Sequence, residues 1–190
     1  IDADIVKDYL LEQALDDGIY DHLRAEILVD GHAVAPRELA ALVHLESVKL
    51  ADQIRRLCIS RKENIVIEGT LTWEGQAPRL FHDLADSQYT AIEVYGVDIG
   101  QAGAHEQVLS RWWRGRQLWV NNADPLGGRF TPPDAVDVCY PNAGTSVCTT
   151  HALKFIDIAQ SGEIPYVHVS ILRSNAAGAV EVSSERFYRQ

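Results

Sequence analysis

Carboxylates follow one short apolar segment of the chain and also stand at its start, in positions that predict chemistry at a sheet edge. The apolar residues 65–67 end in Glu68, with Thr70 two residues later, and Asp2 and Asp4 stand similarly near the start. Continuous apolar runs are typical of strands buried on both faces, and open α/β sheets bind ligands beyond the C-terminal ends of such strands. We therefore expect these carboxylates at a binding edge, the alternative for Glu68 being a turn cap or a surface ion pair.

Positive charge is concentrated later, in two segments of an acidic sequence. The segment RWWRGR carries Arg111, Arg114 and Arg116, and the loop LGGRFTPP carries Arg129. Arginine suits phosphate binding because its planar guanidinium donates paired hydrogen bonds and stays charged at any working pH. Phosphoryl transfer needs a base that orients a hydroxyl and cations that hold phosphoryl oxygens, so Asp4 as base with Arg111 and Arg129 as cations fits this chemistry.

Each of these residues also has a simpler structural interpretation. Asp4 could cap a helix, Arg111 could form a surface ion pair, and Arg129 could anchor its loop. Arg114 and Arg116 could belong to a solvated helix end, where positive charge is favourable. The local sequence leaves these alternatives open.

The composition excludes several classes of protein. The 190 residues fit one domain of ordinary size, with 46% hydrophobic and 23% charged residues. No apolar run approaches the ~20 residues that cross a bilayer. The net charge of -10 argues against broad nucleic-acid binding, which needs clustered lysine and arginine over a whole face.

The spacing of the cysteines and histidines bears on the redox compartment and on metal binding. Cys58, Cys139 and Cys148 show no CxxC spacing, which favours a reducing cytoplasm, although a pairing of Cys139 with Cys148 across a loop stays open. The histidines form no HxH or HExxH cluster, so we predict no protein-bound metal.

The order of helical and extended patterns predicts an α/β fold in a single domain over residues 1–190. One long helix, residues 36–59, should bury a stripe of Leu39, Leu42, Val43, Leu50, Ile54 and Leu57. Other helices are predicted at about residues 6–15, 20–29, 78–85, 104–113 and 146–159. Strands are predicted at 65–67, 91–97 and 166–172, with an edge hairpin or tail near 180–182.

Together these segments resemble the zeta toxin family, P-loop kinases of bacterial toxin–antitoxin systems. The resemblance spans about residues 1–160, through IDADIVKDYL, VHLESVKLADQ, NIVIEGTL, LSRWWRGR and LGGRFTPP, and leaves 161–190 as a C-terminal strand and tail. It implies a P-loop kinase-like parallel sheet flanked by helices, with the N-terminal strand and phosphate loop missing from this chain. No G-x-x-x-x-G-K-[ST] segment occurs, and we expect that loop upstream of Ile1.

The resemblance also assigns roles to single residues. A hydrophobic–Asp–x–Asp–x–x–Lys segment places the base on Asp4, and Arg111 and Arg129 correspond to the arginines that contact nucleotide phosphates. Arg114 and Arg116 would assist them. Contacts to the sugar substrate fall on Glu68 and Thr70, and on either Asp52 or Glu46 in the preceding helix.

The activity implied by this resemblance is that of a UDP-N-acetylglucosamine kinase. ATP or GTP with Mg²⁺ would donate the phosphoryl group to a UDP-N-acetylhexosamine hydroxyl, and the product would interfere with cell-wall precursor synthesis. A small helical antitoxin and a bacterial cytoplasmic location are implied with it. The alternatives are a catalytically inactive, partner-binding relative and a small-molecule kinase that acts on an antibiotic or a dinucleotide.

Overall fold

The computed structural model describes residues 1–142, 144–174 and 180–190, and the chain falls into two units. None of the helices in this described part combines the length and the hydropathy of a membrane span. Unit 1 comprises Ile1–Leu57, Ile65–Gly69 and His105–Pro132, and unit 2 comprises Cys58–Asn64, Thr70–Ala104 and Pro133–Gln190.

Helix α1 (Ala3–Asp16) of unit 1 begins at a side-chain cap. The Asp2 carboxylate accepts a hydrogen bond from the backbone N–H of Asp4 at 2.7 Å, so Asp2 satisfies a free donor of the first turn. The inner face of α1 carries Leu11, which packs against Ala40 and Val43. The predicted helix over 6–15 is confirmed, and Asp2 rather than Asp4 caps it.

The predicted helix 20–29 is wrong beyond its first turn. Helix α2 spans only Asp21–Arg24, and Ile27 then pairs with Ala33 in an isolated antiparallel bridge. The turn between them has Gly31 at φ +79°, and the Asp30 carboxylate accepts the N–H of His32 at 3.2 Å. An Asp-Gly turn favours this reversal over a continued helix, because glycine adopts the left-handed conformation without strain.

The predicted long helix is divided into a 3₁₀ helix, Pro36–Val43, and helix α3, His44–Ser60. The predicted stripe is wrong over most of its length, since Leu42, Leu50, Ile54 and Leu57 are 38–50% exposed. A 3₁₀ helix has three residues per turn, so a stripe projected through it at α-helical period loses its phase. The buried residues along this segment are Pro36, Ala40, Val43, Ser47, Arg55 and Ile59.

Residues 65–67 are extended but do not form the predicted buried strand. Val66 is 82% exposed, and residues 63–72 carry no regular secondary structure. Two backbone hydrogen bonds join this segment to Ile1, from the Ile1 amine to the Val66 carbonyl and from the Glu68 N–H to the Ile1 carbonyl at 3.0 Å. They flank Ile67 in the pattern of a parallel bridge, and so place the backbone of Glu68 beside the start of α1.

Unit 2 contains the sheet. Strands β1 (Ala91–Asp98) and β2 (Tyr166–Ser174) are parallel, and β2 pairs antiparallel with β3 (Val180–Arg189). The α/β class is confirmed, but the described sheet is mixed rather than wholly parallel. The helices of this unit are α4 (Gln76–Asp86), α6 (Pro133–Asp137) and α7 (Val147–Ala159).

The central strand β2 explains where the core of unit 2 lies. Val167, Val169 and Ile171 are buried, and so are His168 and Ser170 between them. Both edges of β2 are paired and α7 packs against it, and because the buried residues alternate along the strand, side chains on both of its faces are buried. The predicted strands 91–97 and 166–172 are confirmed, as are the helices near 78–85 and 146–159.

Helix α5 (Gln101–Val120) is longer than the predicted 104–113 and contains the whole RWWRGR segment. Gly115 lies within it, and Trp112, Trp113 and Trp119 surround that glycine in sequence. A helix of this length carries all three of its arginines on one rigid element.

Candidate functional site

Asp4 and Arg129 form an ion pair in unit 1 although 125 residues separate them in sequence. Arg129 Nη1 lies 2.6 Å from Asp4 Oδ2, and Nη2 donates to the Asp4 carbonyl at 3.1 Å. Lys7, one turn along α1, donates from Nζ to Asp4 Oδ1 at 2.9 Å. The carboxylate therefore meets a cation at each oxygen, while its side chain remains 46% exposed.

The same guanidinium also contacts Asp8, a residue that the sequence did not single out. Arg129 Nη2 donates to Asp8 Oδ1 at 2.9 Å, and Arg37 Nη2 donates to Asp8 Oδ2 at 2.9 Å. Arg37 continues to Asp124, from Nη1 to Oδ2 at 3.0 Å. A signal existed for Asp8, because residues at i and i+4 share one face of a helix and Asp8 stands four after Asp4.

We call Lys7, Asp4, Arg129, Asp8, Arg37 and Asp124 the charge network of unit 1. Its members come from α1, the 3₁₀ helix and the loop after α5. Cations and carboxylates alternate along it, so each charge has an opposite neighbour at about 3 Å. Such a chain of contacts fixes the rotamer of Arg129 and thereby its position beside Asp4.

The protonation of Asp4 follows from opposing effects. Burial raises the pKa of Asp4, but the hydrogen bond from Lys7 and the charges of Arg129, Lys7 and Arg111 together hold that pKa below its ordinary value. Asp4 is therefore a carboxylate at neutral pH, with oxygens that accept further hydrogen bonds.

Glycines allow the loop of Arg129 to approach α5. A Cβ on Gly128 would stand 1.9 Å from the carbonyl oxygen of Trp112, and one on Gly115 would stand 2.4 Å from the Cα of Gly128. Gly127 has φ +78°, a conformation that glycine adopts without strain. Backbone packs directly on backbone here, and this contact brings the next residue, Arg129, to α1.

Arg129 retains one donor that the described residues do not satisfy. Its Nε is buried and has no hydrogen-bond partner among them. Buried donors are almost always paired in folded proteins, so an unpaired one at a charged cluster fits an oxygen atom of an anionic ligand. The guanidinium chemistry and this free donor are compatible with a nucleotide phosphate.

The three arginines of α5 divide into exposed and buried residues. Arg111 and Arg114 are exposed, and the charge of Arg111 acts on Asp4. Arg116 is 1% exposed and donates from Nε and Nη2 to the Asp30 carboxylate at 2.6 and 2.7 Å, and from Nη1 to Glu38 at 2.7 Å. Arg116 thus faces the interior of unit 1 and ties α5 to the turn at Asp30.

Glu38 completes this buried contact. Its Oε2 also accepts the Ala35 N–H at 2.8 Å, at the start of the 3₁₀ helix, and its Oε1 accepts the indole N–H of Trp112 at 2.7 Å. Arg116, Glu38 and Asp30 therefore form a polar cluster in which every carboxylate oxygen has a donor. The cluster holds the element that carries Arg37.

The predicted substrate contacts lie on several elements. Glu68 and Glu46 are exposed in unit 1, and Asp52 is an ion-pair partner of Arg55 at 2.6 Å and of Arg56 at 3.0 Å. In unit 2, the hydroxyl of Thr70 contacts that of Thr72 at 2.7 Å. The choice between Asp52 and Glu46 stays a prediction.

Comparison with known proteins identifies a family. No curated protein and no solved structure matches the chain. The profile described as Zeta toxin matches residues 19–170, which include the four arginines and the predicted substrate contacts but not Asp4. Because the match covers most of the chain, this protein belongs to the zeta toxin family.

Proposed function

We propose that this protein transfers a phosphoryl group from ATP or GTP to a hydroxyl of a UDP-N-acetylhexosamine. The family is kinase-like, so the chain belongs among nucleotide-using phosphotransferases in general. The observation that carries the proposal is the contact of Arg129 with Asp4 at 2.6 Å, which joins a carboxylate and a phosphate-binding cation in one place.

Asp4 would orient the attacking hydroxyl. Its carboxylate is ionised at neutral pH and 46% exposed, so a hydroxyl can donate a hydrogen bond to it beside Lys7 and Arg129. A lowered pKa makes Asp4 a weak base, which suits phosphoryl transfer because little proton removal is needed before the acceptor oxygen attacks. The proton then passes to an Asp4 carboxylate oxygen.

Arg129 and Arg111 would hold phosphate oxygens. The nucleotide supplies the phosphoryl group, with Mg²⁺ bound mainly by phosphate and water. Arg129 would contribute its free Nε–H, and exposed Arg111 would contribute a positive charge that acts on Asp4. Arg114 is a second exposed cation on α5, whereas Arg116 would support the site through Glu38 and Asp30.

The acceptor would be recognised by oxygen-bearing side chains. Glu68 lies beside Ile1 through its backbone N–H, and its exposed carboxylate can accept sugar hydroxyls. Thr70 offers a hydroxyl that already contacts Thr72, and Asp52 or Glu46 would supply a further acceptor. These four assignments rest on the resemblance to the family.

The cellular role proposed with this chemistry is that of a toxin in a toxin–antitoxin pair. Phosphorylated UDP-N-acetylglucosamine would accumulate in the bacterial cytoplasm and interfere with cell-wall precursor synthesis. A small helical antitoxin would be the partner. Family membership supports the toxin class, and the partner is inferred from the same membership.

The test is ATP consumption by the full-length protein with and without UDP-N-acetylglucosamine. Asp4→Asn should lower acceptor-dependent turnover by about 100-fold or more, because it removes the base while keeping the shape. Asp16→Asn is the matched control, since Asp16 is an exposed carboxylate at the other end of α1. It should leave turnover unchanged.

Several outcomes would contradict the proposal. Equal turnover of Asp4→Asn and Asp16→Asn would remove Asp4 from the base role. Turnover only with an antibiotic or a dinucleotide acceptor would replace the UDP-sugar. No turnover with any acceptor, together with tight binding of a helical partner protein, would establish an inactive, partner-binding relative.

A further inference from the structure

Two cysteines of unit 2 share one hydroxyl. Cys139 Sγ and Cys148 Sγ lie 3.7 and 3.9 Å from the Oγ1 atom of Thr72. The backbone brings them together as well, because the N–H of Val147 donates to the Cys139 carbonyl at 2.9 Å. Both thiols are free and half-buried.

Cys139 also affects the thiol of Cys148. Burial raises the pKa of the Cys148 thiol, and the neighbouring Cys139 raises it further through charge and a hydrogen bond. Cys148 therefore holds its proton more firmly than an ordinary thiol. Cys58 stands apart in this respect, because the leading cause of its raised pKa is a hydrogen bond with Glu63.

We propose that Cys139 and Cys148 are a redox pair that closes to a reversible disulfide when the protein meets hydrogen peroxide. The Cys139 thiolate attacks one peroxide oxygen, which gives a sulfenic acid on Cys139 and releases hydroxide. Cys148 then attacks that sulfur; the S–S bond forms, and the sulfenic oxygen leaves as water with the Cys148 proton. One peroxide is reduced to two waters as two thiols are oxidised.

Oxidation of Cys139 and Cys148 would also change the segment that contains Thr70. Thr72 contacts both sulfurs and also the Thr70 hydroxyl at 2.7 Å, so loss of the two thiols changes the partners of Thr72. Leu71 between them has φ 54°, a strained conformation for a leucine, and its carbonyl contacts His151 Nδ1 at 2.7 Å. A segment that is held in part by these contacts should respond when one of them is lost.

The pairing is tested on the full-length protein, first reduced and then treated with hydrogen peroxide. Intact mass should fall by two hydrogens, and digestion without reductant should give one cross-linked peptide pair that contains Cys139 and Cys148. Cys58→Ser should behave as wild type, and Cys139→Ser and Cys148→Ser should lose the cross-link. Unchanged mass in wild type, or a cross-link through Cys58, would overturn the proposal.

The order of the two steps has its own test. In Cys148→Ser the sulfenic acid has no resolving thiol, so a sulfenic-acid trap such as dimedone should label Cys139. Labelling of Cys148 in Cys139→Ser to the same extent would show that the two thiols have no fixed order, and would overturn the assignment of the attacking thiol.

The link to Thr70 is measured by hydrogen exchange of the amides of residues 70–73 in reduced and oxidised protein. Faster or slower exchange confined to oxidised wild type and Cys58→Ser supports the link, and unchanged exchange overturns it. An effect of oxidation on the KM for the acceptor could be measured only if the proposed kinase function is correct, and so rests on it. The mass and hydrogen-exchange measurements do not depend on that function, so failure of the kinase proposal could be distinguished from failure of the disulfide proposal.

Discussion

Replacement of Arg116 by Met would distinguish its structural role from a nucleotide contact. Arg116 is 1% exposed and holds Asp30 and Glu38, so Arg116→Met leaves two carboxylates without their cation. Met keeps much of the aliphatic volume of the side chain, which limits any cavity. The effect therefore reports mainly the loss of charge and hydrogen bonds.

The expected loss in the free energy of unfolding follows from how deeply Asp30 and Glu38 are buried. Removal of one partner from a buried ion pair costs about 3–5 kcal/mol in the free energy of unfolding. Asp30 is 23% exposed and can recover some hydration, while Glu38, 8% exposed, keeps the donors of Ala35 and Trp112. We expect the lower end, about 3 kcal/mol, which corresponds to a fall in Tm of about 6–12 °C for a chain of this size.

The pH dependence of stability provides a second test of the contact between Arg116 and Asp30. The hydrogen bond from Arg116 is the leading cause that lowers the pKa of Asp30 from 3.8 to about 2. A carboxyl with a depressed folded-state pKa stabilises the fold above its unfolded pKa, and this stabilisation is lost as pH falls from 3.8 towards 2. Wild type should therefore lose more stability than Arg116→Met between about pH 5 and about pH 2.5.

Thermal and urea unfolding followed by circular dichroism would measure both effects. Arg114→Met is the matched control, because Arg114 is exposed on the same helix, and surface changes of this kind are worth about 0.5 kcal/mol or less. If Arg116→Met and Arg114→Met unfold at the same temperature and with the same pH dependence, the buried cluster does not stabilise unit 1. Normal stability with weakened nucleotide binding would instead make Arg116 a ligand contact.

Two further predictions concern the position and the charge of Arg129. Gly115→Ala should destabilise unit 1 by about 1–3 kcal/mol, because the added Cβ would stand 2.4 Å from the Cα of Gly128. Gly103→Ala is the matched control, since Gly103 lies on the same helix in open space, and this change should be neutral or stabilising. Thermal unfolding would measure both. Arg129→Met should raise the pKa of Asp4 towards its ordinary value, because the substitution removes a positive charge that lowers this pKa. An NMR titration of the Asp4 carboxyl would measure the change, and no rise in the pKa would contradict the ion pair.

Local patterns predicted the elements more reliably than the faces they bury. The helices near 6–15, 78–85 and 146–159 and the strands 91–97 and 166–172 are confirmed. The stripe through Leu50 and Ile54 is wrong because a 3₁₀ turn shifted its phase, and the buried strand at 65–67 is wrong because its backbone pairs only with Ile1 among the described residues.

The amino-acid pattern alone was enough to predict the family, the main elements and the residue types that suit phosphoryl transfer. It placed Arg111 and Arg116 together in RWWRGR and Arg129 in a separate loop, but it did not identify the carboxylate partners of Arg116 and Arg129. The contacts of Arg116 with Asp30, 86 residues away, and of Arg129 with Asp4, 125 residues away, arise only when the chain folds. A charged side chain takes its role from the opposite charges that folding brings within hydrogen-bond distance, and sequence spacing does not encode those partners.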